Sequence, residues 1–397
     1  MKYKRIFAAL IILCLLIILP SAVLAQEQPA EKSGASAEGL LEEMYGELGL
    51  SGMEEYAGDE SFFKLYGFDN VFDFLKAVIT GQYEFSFESF FGMIRDVFFQ
   101  EVRSCISIIV EIMILCILCG LVQTMSTSFL SARVADVAFF AVYLALAALL
   151  IGVFFESVKS CTAVILKLVD FMNIAIPALL ILLATNGGAL TGGLVSPALM
   201  FFCNFVTYLI NSFIIPISSF GFVLSIADNL LKEINISYFT KFIKKAASFL
   251  LGACFTIFVG IVSIEGLTFA SIDGIGVKTL KYAASNLIPV IGGFLSSSLD
   301  TISGFLLIIK NALGLLGVLV IIATTFTPVL KLIGIFFALR IASIVVQPFT
   351  DSRIAGAVDS AANYMFFITV CVITIGIMFI VMIALLLMLG NYILMLR

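Results

Sequence analysis

From residue 104 to residue 389 the chain is a succession of long apolar runs with short polar punctuation between them. Ten can be marked, at 104–123, 134–156, 162–185, 195–215, 216–231, 247–265, 285–309, 312–333, 334–347 and 365–389. An α-helix needs ~20 apolar residues to cross a bilayer. In hydrocarbon every backbone N–H and C=O must be bonded within the protein, so runs of this length read as helices. Composition agrees: 61% of the 397 residues are hydrophobic and 12% charged, against about 45–50% and about 25% in soluble proteins. Lipid has to be the solvent for most of this surface. The expected fold class is all-α, a polytopic integral membrane protein. The runs 216–231 and 334–347 are short for a span and read as half-spans, re-entrant segments or continuations, so six to nine crossings are expected.

Two absences narrow the chemistry. The chain has no histidine, which excludes His-based acid–base catalysis and His-ligated metals. It has no tryptophan either, leaving tyrosine for the interfacial aromatic belt. The eight cysteines avoid 26–104, the stretch expected to be exported, so a disulfide framework is not expected. Cys116 and Cys119 sit in the apolar phrase LCILCG and read as packing residues.

The N-terminus has the order of a secretory signal: basic MKYKR, apolar IFAALIILCLLIIL, then Pro20 and a small-residue site ending at Ala25. Cleavage after Ala25 and retention as an anchor are the two readings, and both place the next segment outside the cytoplasm. Residues 26–75 carry twelve acids against two lysines. Over 87–103, Phe90, Ile94, Val97 and Phe98 recur on one helical face. That pattern suits an amphipathic helix at the interface, or packing within a small soluble unit. The expected organisation is therefore a signal at 1–25, an acidic extracytoplasmic segment at 26–103 and a membrane body at 104–397.

Lys232, Lys241, Lys244 and Lys245 crowd one short connection, which marks it as cytoplasmic. Starting outside at residue 26, an odd number of crossings must precede it. An internal repeat of about 112 residues, 134–245 against 246–350, is suggested by paired phrases, as in many transporters. IGVFFES matches VGIVSIE, NIAIP matches NLIP, and Pro216 matches Pro328.

The phrase IPALLILLATNGGALTGGLVSPALMFF places Pro177, Gly187, Gly188, Gly192, Gly193 and Pro197 close together. One reading is a broken helix lining a path, because such backbone survives at membrane depth only under cover of protein or water. The other is a glycine-rich loop at the surface. Under the repeat, Pro289, Gly292 and Gly293 form the matching region. Glu111, Asp300 and Arg340 lie within apolar runs, where charges usually face a bundle interior or a cavity. Lys167, Asp170, Lys310 and Lys331 sit at run ends and read as snorkelling side chains. Gly274-Ile-Gly276-Val-Lys278-Thr279 resembles a phosphate loop, but GxxxxGK[ST] is absent. No catalytic pair, metal cluster or cofactor site is expected, nor any nucleic-acid partner.

Taken together, the signal, the acidic segment, IPALLILLATNGGALTGGLVSPALMFFCN, NLIPVIGGFLSSSLDTISGFLLIIKNALGLLGV and the ending MLGNYILMLR resemble the stage III sporulation protein AE family of endospore-forming bacteria. The resemblance covers nearly the whole mature chain and is strongest over 162–333. It implies a multi-pass protein of the mother-cell membrane around the forespore, not an enzyme. There it would serve as a permease-like or structural subunit of a channel complex, needed for forespore development and late forespore sigma-factor activity. The partners it implies are other stage III sporulation channel proteins and an Oxa1/YidC-type membrane insertase. The family brings no catalytic residues. The alternative, suggested by the repeat alone, is an independent secondary transporter of a small solute.

Overall fold

The computed structural model describes residues 71–79, 87–128, 132–185, 196–230, 236–287, 292–348, 350 and 352–395. Residues 1–70, with Ala25, lie outside the described residues, as do Gly187, Gly188, Gly192, Gly193 and Pro289. The described residues form helices and no strand. In chain order these are α1 (Val71–Ile79), α2 (Phe87–Ser128), α3 (Ala132–Thr185), α4 (Ser196–Leu209), a π-helical turn (Ile210–Ile214), α5 (Ile215–Leu230), α6 (Ser237–Leu287), α7 (Gly292–Val346) and α8 (Ser352–Met395).

The apolar runs are gathered into fewer and longer rods than their punctuation suggests. Runs 134–156 and 162–185 are one helix, α3, of 54 residues, which is about 80 Å long at 1.5 Å per residue. The polar ESVKSC between them contains no glycine or proline, and serine, glutamate and lysine do not stop a helix. Run 312–333, run 334–347 and most of 285–309 likewise share α7, of 55 residues. The amphipathic stretch 87–103 continues without a break into the apolar run 104–123, both within α2. Among the described residues five stretches are long and apolar enough to cross a membrane: Val137–Thr185, Met200–Leu230, Ser237–Ser263, Gly304–Val346 and Ser352–Leu389.

Proline shapes two of these rods differently. Pro216 cannot donate a backbone bond, and its ring would press on the carbonyl of Ser212 in a regular helix. The chain widens just before it: Ile215 N–H bonds to Ile210 O across five residues, the π turn. Pro177, expected to break its helix, sits inside α3, which runs on to Thr185. It removes the bond to Asn173 O and presses on that carbonyl, and a single lost bond bends a long helix more readily than it ends it.

The core centres on α8, which packs against α7, α3, α6 and α5. Its residues Ala362, Ile368, Cys371, Val372, Ile375, Met382 and Ile383 are fully buried. Buried hydroxyls inside this apolar bundle bond back to the preceding turn, which satisfies them without a second helix. Ser218 donates to Ile214 O at 2.6 Å, Thr207 to Cys203 O at 2.8 Å and Thr369 to Met365 O at 2.9 Å.

Close approach of α7 and α8 depends on Gly314. A Cβ there would lie within the Leu387 side chain, 2.7 Å from its Cγ. Gly314→Val is therefore expected to destabilise the α7–α8 pair by about 1–3 kcal/mol, the usual cost of overpacking. Thermal unfolding of purified protein in detergent measures it, and an unchanged midpoint would show that the helices separate at no cost.

Candidate functional site

Polar and charged side chains gather at one end of the bundle, where α5 and α7 finish and α6 and α8 begin. The α7–α8 connection is short, so the two helices run antiparallel and residues equidistant from the turn meet. Arg340 on α7 forms an ion pair with Asp359 on α8. Asn363, one turn further, donates from Nδ2 to Asp359 Oδ2 and to Asp359 O, both at 2.9 Å. Ser343 Oγ donates to Ala355 O at 3.1 Å. The Asp359 carboxylate is thus held by a guanidinium and an amide, the arrangement that makes a charge tolerable among apolar helices.

A column of rings ties the same end together. Phe154 of α3 stacks on Phe222 of α5 with centroids 4.1 Å apart, and Phe222 meets Tyr364 of α8 edge-on at 5.9 Å. Lys244 of α6 lies 5.5 Å above the Tyr364 ring and close enough to Arg340 for the like charges to act on each other. Gly221 makes the crowding feasible, since a Cβ there would come within 2.8 Å of Ile243 Cγ2 and 2.9 Å of the Tyr364 hydroxyl. Tyr143 of α3 donates to Ile226 O at 2.8 Å. Arg353, at the start of α8, lies 4.2 Å above the Phe139 ring of α3. Asp228 accepts from the backbone N–H of Ile236 at 2.9 Å, closing the turn into α6.

Among the described residues, five cations (Lys241, Lys244, Lys245, Arg340 and Arg353) and two carboxylates (Asp228 and Asp359) share this end. Arg340 and the Ile236 N–H already engage the two carboxylates. Lys241 and Lys244 rest on tyrosine faces, at 5.9 Å and 5.5 Å, where the ring quadrupole stands in for a counter-charge. The surplus is positive and backed by aromatic rings. Such a surface orients a protein in a bilayer and suits anionic groups.

A second polar element lies within the bundle. Lys310 on α7 is 1% exposed, and its Nζ donates to Leu387 O on α8 at 3.0 Å. The neighbouring Asn311 Oδ1 is buried without a hydrogen-bond partner among the described residues. The snorkelling expected of Lys310 does not occur. What reads as the end of a run is the interior of α7, and there the side chain turns inward to Leu387 O on α8 rather than outward to water.

A family model for stage III sporulation protein AE matches residues 70–390. The chain belongs to the stage III sporulation protein AE family. It is 26% identical over 371 residues to the "Stage III sporulation protein AE" of Bacillus subtilis (strain 168), covering 94% of this chain and 90% of that relative. No solved structure matches. Membership makes the chain a sporulation protein, and its apolar helices make it a membrane protein.

In this member of the stage III sporulation protein AE family the residues singled out from sequence part company. Arg340 faces the bundle, with Asp359 as its partner. Glu111 does not: it is exposed on α2, turned away from the helices behind it. The bundle-facing arc of α2 is taken by Ile112, Cys116 and Gly120, and Glu111 lies on the opposite side. Asp300, Gly292 and Gly293 fall in the first turns of α7, and the Asp300 side chain lies outside the described ones. Pro197 is the second residue of α4, a position that suits proline because its N–H would be unpaired there anyway. Asn204 Nδ2 on α4 reaches Asn173 Oδ1 on α3 at 3.3 Å. Asn173 is also the residue whose backbone carbonyl Pro177 leaves without its helical donor. Lys167 and Asp170 are exposed along the middle of α3.

Sequence reasoning missed Asp359, Asn363 and Tyr364. One signal was available. Arg340 and Asp359 stand nine residues before and ten after position 349, in the gap between two apolar runs. A helical hairpin turned there brings them together.

Proposed function

We propose that this protein is a permease-like or structural subunit of the mother cell–forespore channel complex, without enzymatic activity of its own. Its place is the mother-cell membrane surrounding the forespore, with residues 26–103 on the extracytoplasmic side. There it acts with the other stage III sporulation channel proteins and an Oxa1/YidC-type insertase to sustain forespore development and late forespore sigma-factor activity. Membership of the stage III sporulation protein AE family carries this reading. The positive surplus at the α5–α6 and α7–α8 end supports the orientation when the apolar run 104–123 of α2 is taken as the first crossing: α2, α3 and α4–α5 then make three before the lysines, and basic residues in short connections stay in the cytoplasm.

Deletion of the gene is expected to leave vegetative growth unchanged and to lower heat-resistant spore counts by orders of magnitude, with arrest after engulfment. A solute-uptake defect in growing cells with normal spore yield would instead point to an independent secondary transporter.

A further inference from the structure

The outward face of α2 joins two features that a lipid-facing helix does not tolerate together. Ile106, Val110, Ile114, Ile117, Leu118 and Leu121 point away from the bundle, each about half exposed. Glu111 lies among them, exposed and with no ion-pair partner among the described residues. The opposite face of α2 is already occupied, packed on α7 and α3. The apolar side chains suit lipid, whereas the carboxylate in their midst does not.

A cleft of about 340 Å³ opens beside this stripe, between α2 and the end of α7. Met113, Ile117, Leu121, Val345, Val346 and Thr350 line it. Ile117 and Leu121 belong to the stripe as well as to the cleft. They lie about 9–15 Å along the helix from Glu111 at 1.5 Å per residue. Carboxylate and cleft are thus two anchoring points on one helix-length surface.

We propose that this face docks a transmembrane helix of another protein, one that carries a lysine or arginine at the depth of Glu111. An apolar side chain two to three turns away on that helix fills the cleft. Charge complementarity selects the occupant. A lipid amine stays at headgroup depth and cannot reach a carboxylate seven residues inside an apolar run. A second copy related by two-fold symmetry would set Glu111 against Glu111. The inference does not depend on the channel reading, since a helix can dock here in any complex, and its test uses none of that complex's other components.

The test uses full-length protein reconstituted in phosphatidylethanolamine/phosphatidylglycerol vesicles with dye-labelled, leucine-rich transmembrane peptides. The peptides differ only in a central lysine, leucine or glutamate. Retention of the lysine peptide on the tagged protein is expected to exceed that of the leucine peptide at least about ten-fold, the factor that 1.4 kcal/mol supplies. Glu111→Gln is expected to abolish the difference, and Leu121→Trp, which fills the cleft, to weaken retention while Glu111 remains. Neither side chain is buried in the bundle, so both variants keep the fold. Equal retention of the three peptides, or an unaltered preference in Glu111→Gln, would overturn the proposal. So would Glu111-dependent self-association, read by cross-linking through Ile114→Cys, which would make a second copy the occupant.

Discussion

Lys310→Asp is expected to remove the folded protein from the membrane, at a cost of about 3–5 kcal/mol, whereas Lys310→Met accumulates normally. The ammonium group is buried and donates to Leu387 O. An aspartate at this position would turn an acceptor toward that carbonyl and leave a carboxylate in the bundle without a donor. Methionine keeps the unbranched stem and its packing while dropping the charge. Replacing a buried charge by an apolar side chain of similar volume is often neutral for stability or better. Immunoblot level and thermal unfolding in detergent separate the two variants. Equal accumulation of the aspartate variant would show that the amine is not enclosed between α7 and α8. Spore yield of the methionine variant then reports, at constant protein level, whether the charge itself is used.

Asp359→Ala is expected to cost about 1–3 kcal/mol, below the figure for a fully buried pair because both partners keep 43% of their side-chain surface. It strips Arg340 of its counter-charge and Asn363 of an acceptor at once. The uncompensated guanidinium then joins Lys244, already within range of its charge. The end of the bundle gains positive charge where it has least means to spread it. The exchange of the two residues, Arg340→Asp with Asp359→Arg, is expected to recover part of the loss, as a double-mutant cycle requires if the pair is a unit. Additive losses in the exchange would place the importance of Asp359 in its bond with Asn363 rather than with Arg340.

The sequence made the helical class and the lipid solvent legible, because ten apolar runs admit no other backbone. It did not reveal where helices stop. Polarity and helix termination are different physical properties: Glu156 and Lys159 interrupt an apolar run without interrupting α3. Depth was legible but facing was not. Glu111 and Arg340 read alike as charges within apolar runs, yet one looks outward and the other toward α8. The distinction rests on which arc of each helix finds a neighbour, and a nearly all-apolar helix has no polar face to reveal that arc. Lys310 misled for a related reason, since a lysine between two runs reads as a boundary until the runs prove to be one helix. The glycine-rich phrase around Gly188 and Gly192 drew most attention in the sequence and lies outside the described residues.

The position of α8 at the centre of the bundle has a consequence for how the protein comes into being. The helix that most others lean on is translated after all of them. Residues 87 to 352 take roughly 15–50 s to make at bacterial rates, and throughout that interval α2 to α7 have no axis to assemble around. Buried faces that pack on α8, such as the edge of Phe222 that meets Tyr364, are left to lipid or a helper during this wait. A nascent chain stopped before residue 352 would therefore be inserted without its core helix, and exposed to membrane proteases. Completion of the bundle is an event late in synthesis, when the α7–α8 hairpin closes and Arg340 finds Asp359.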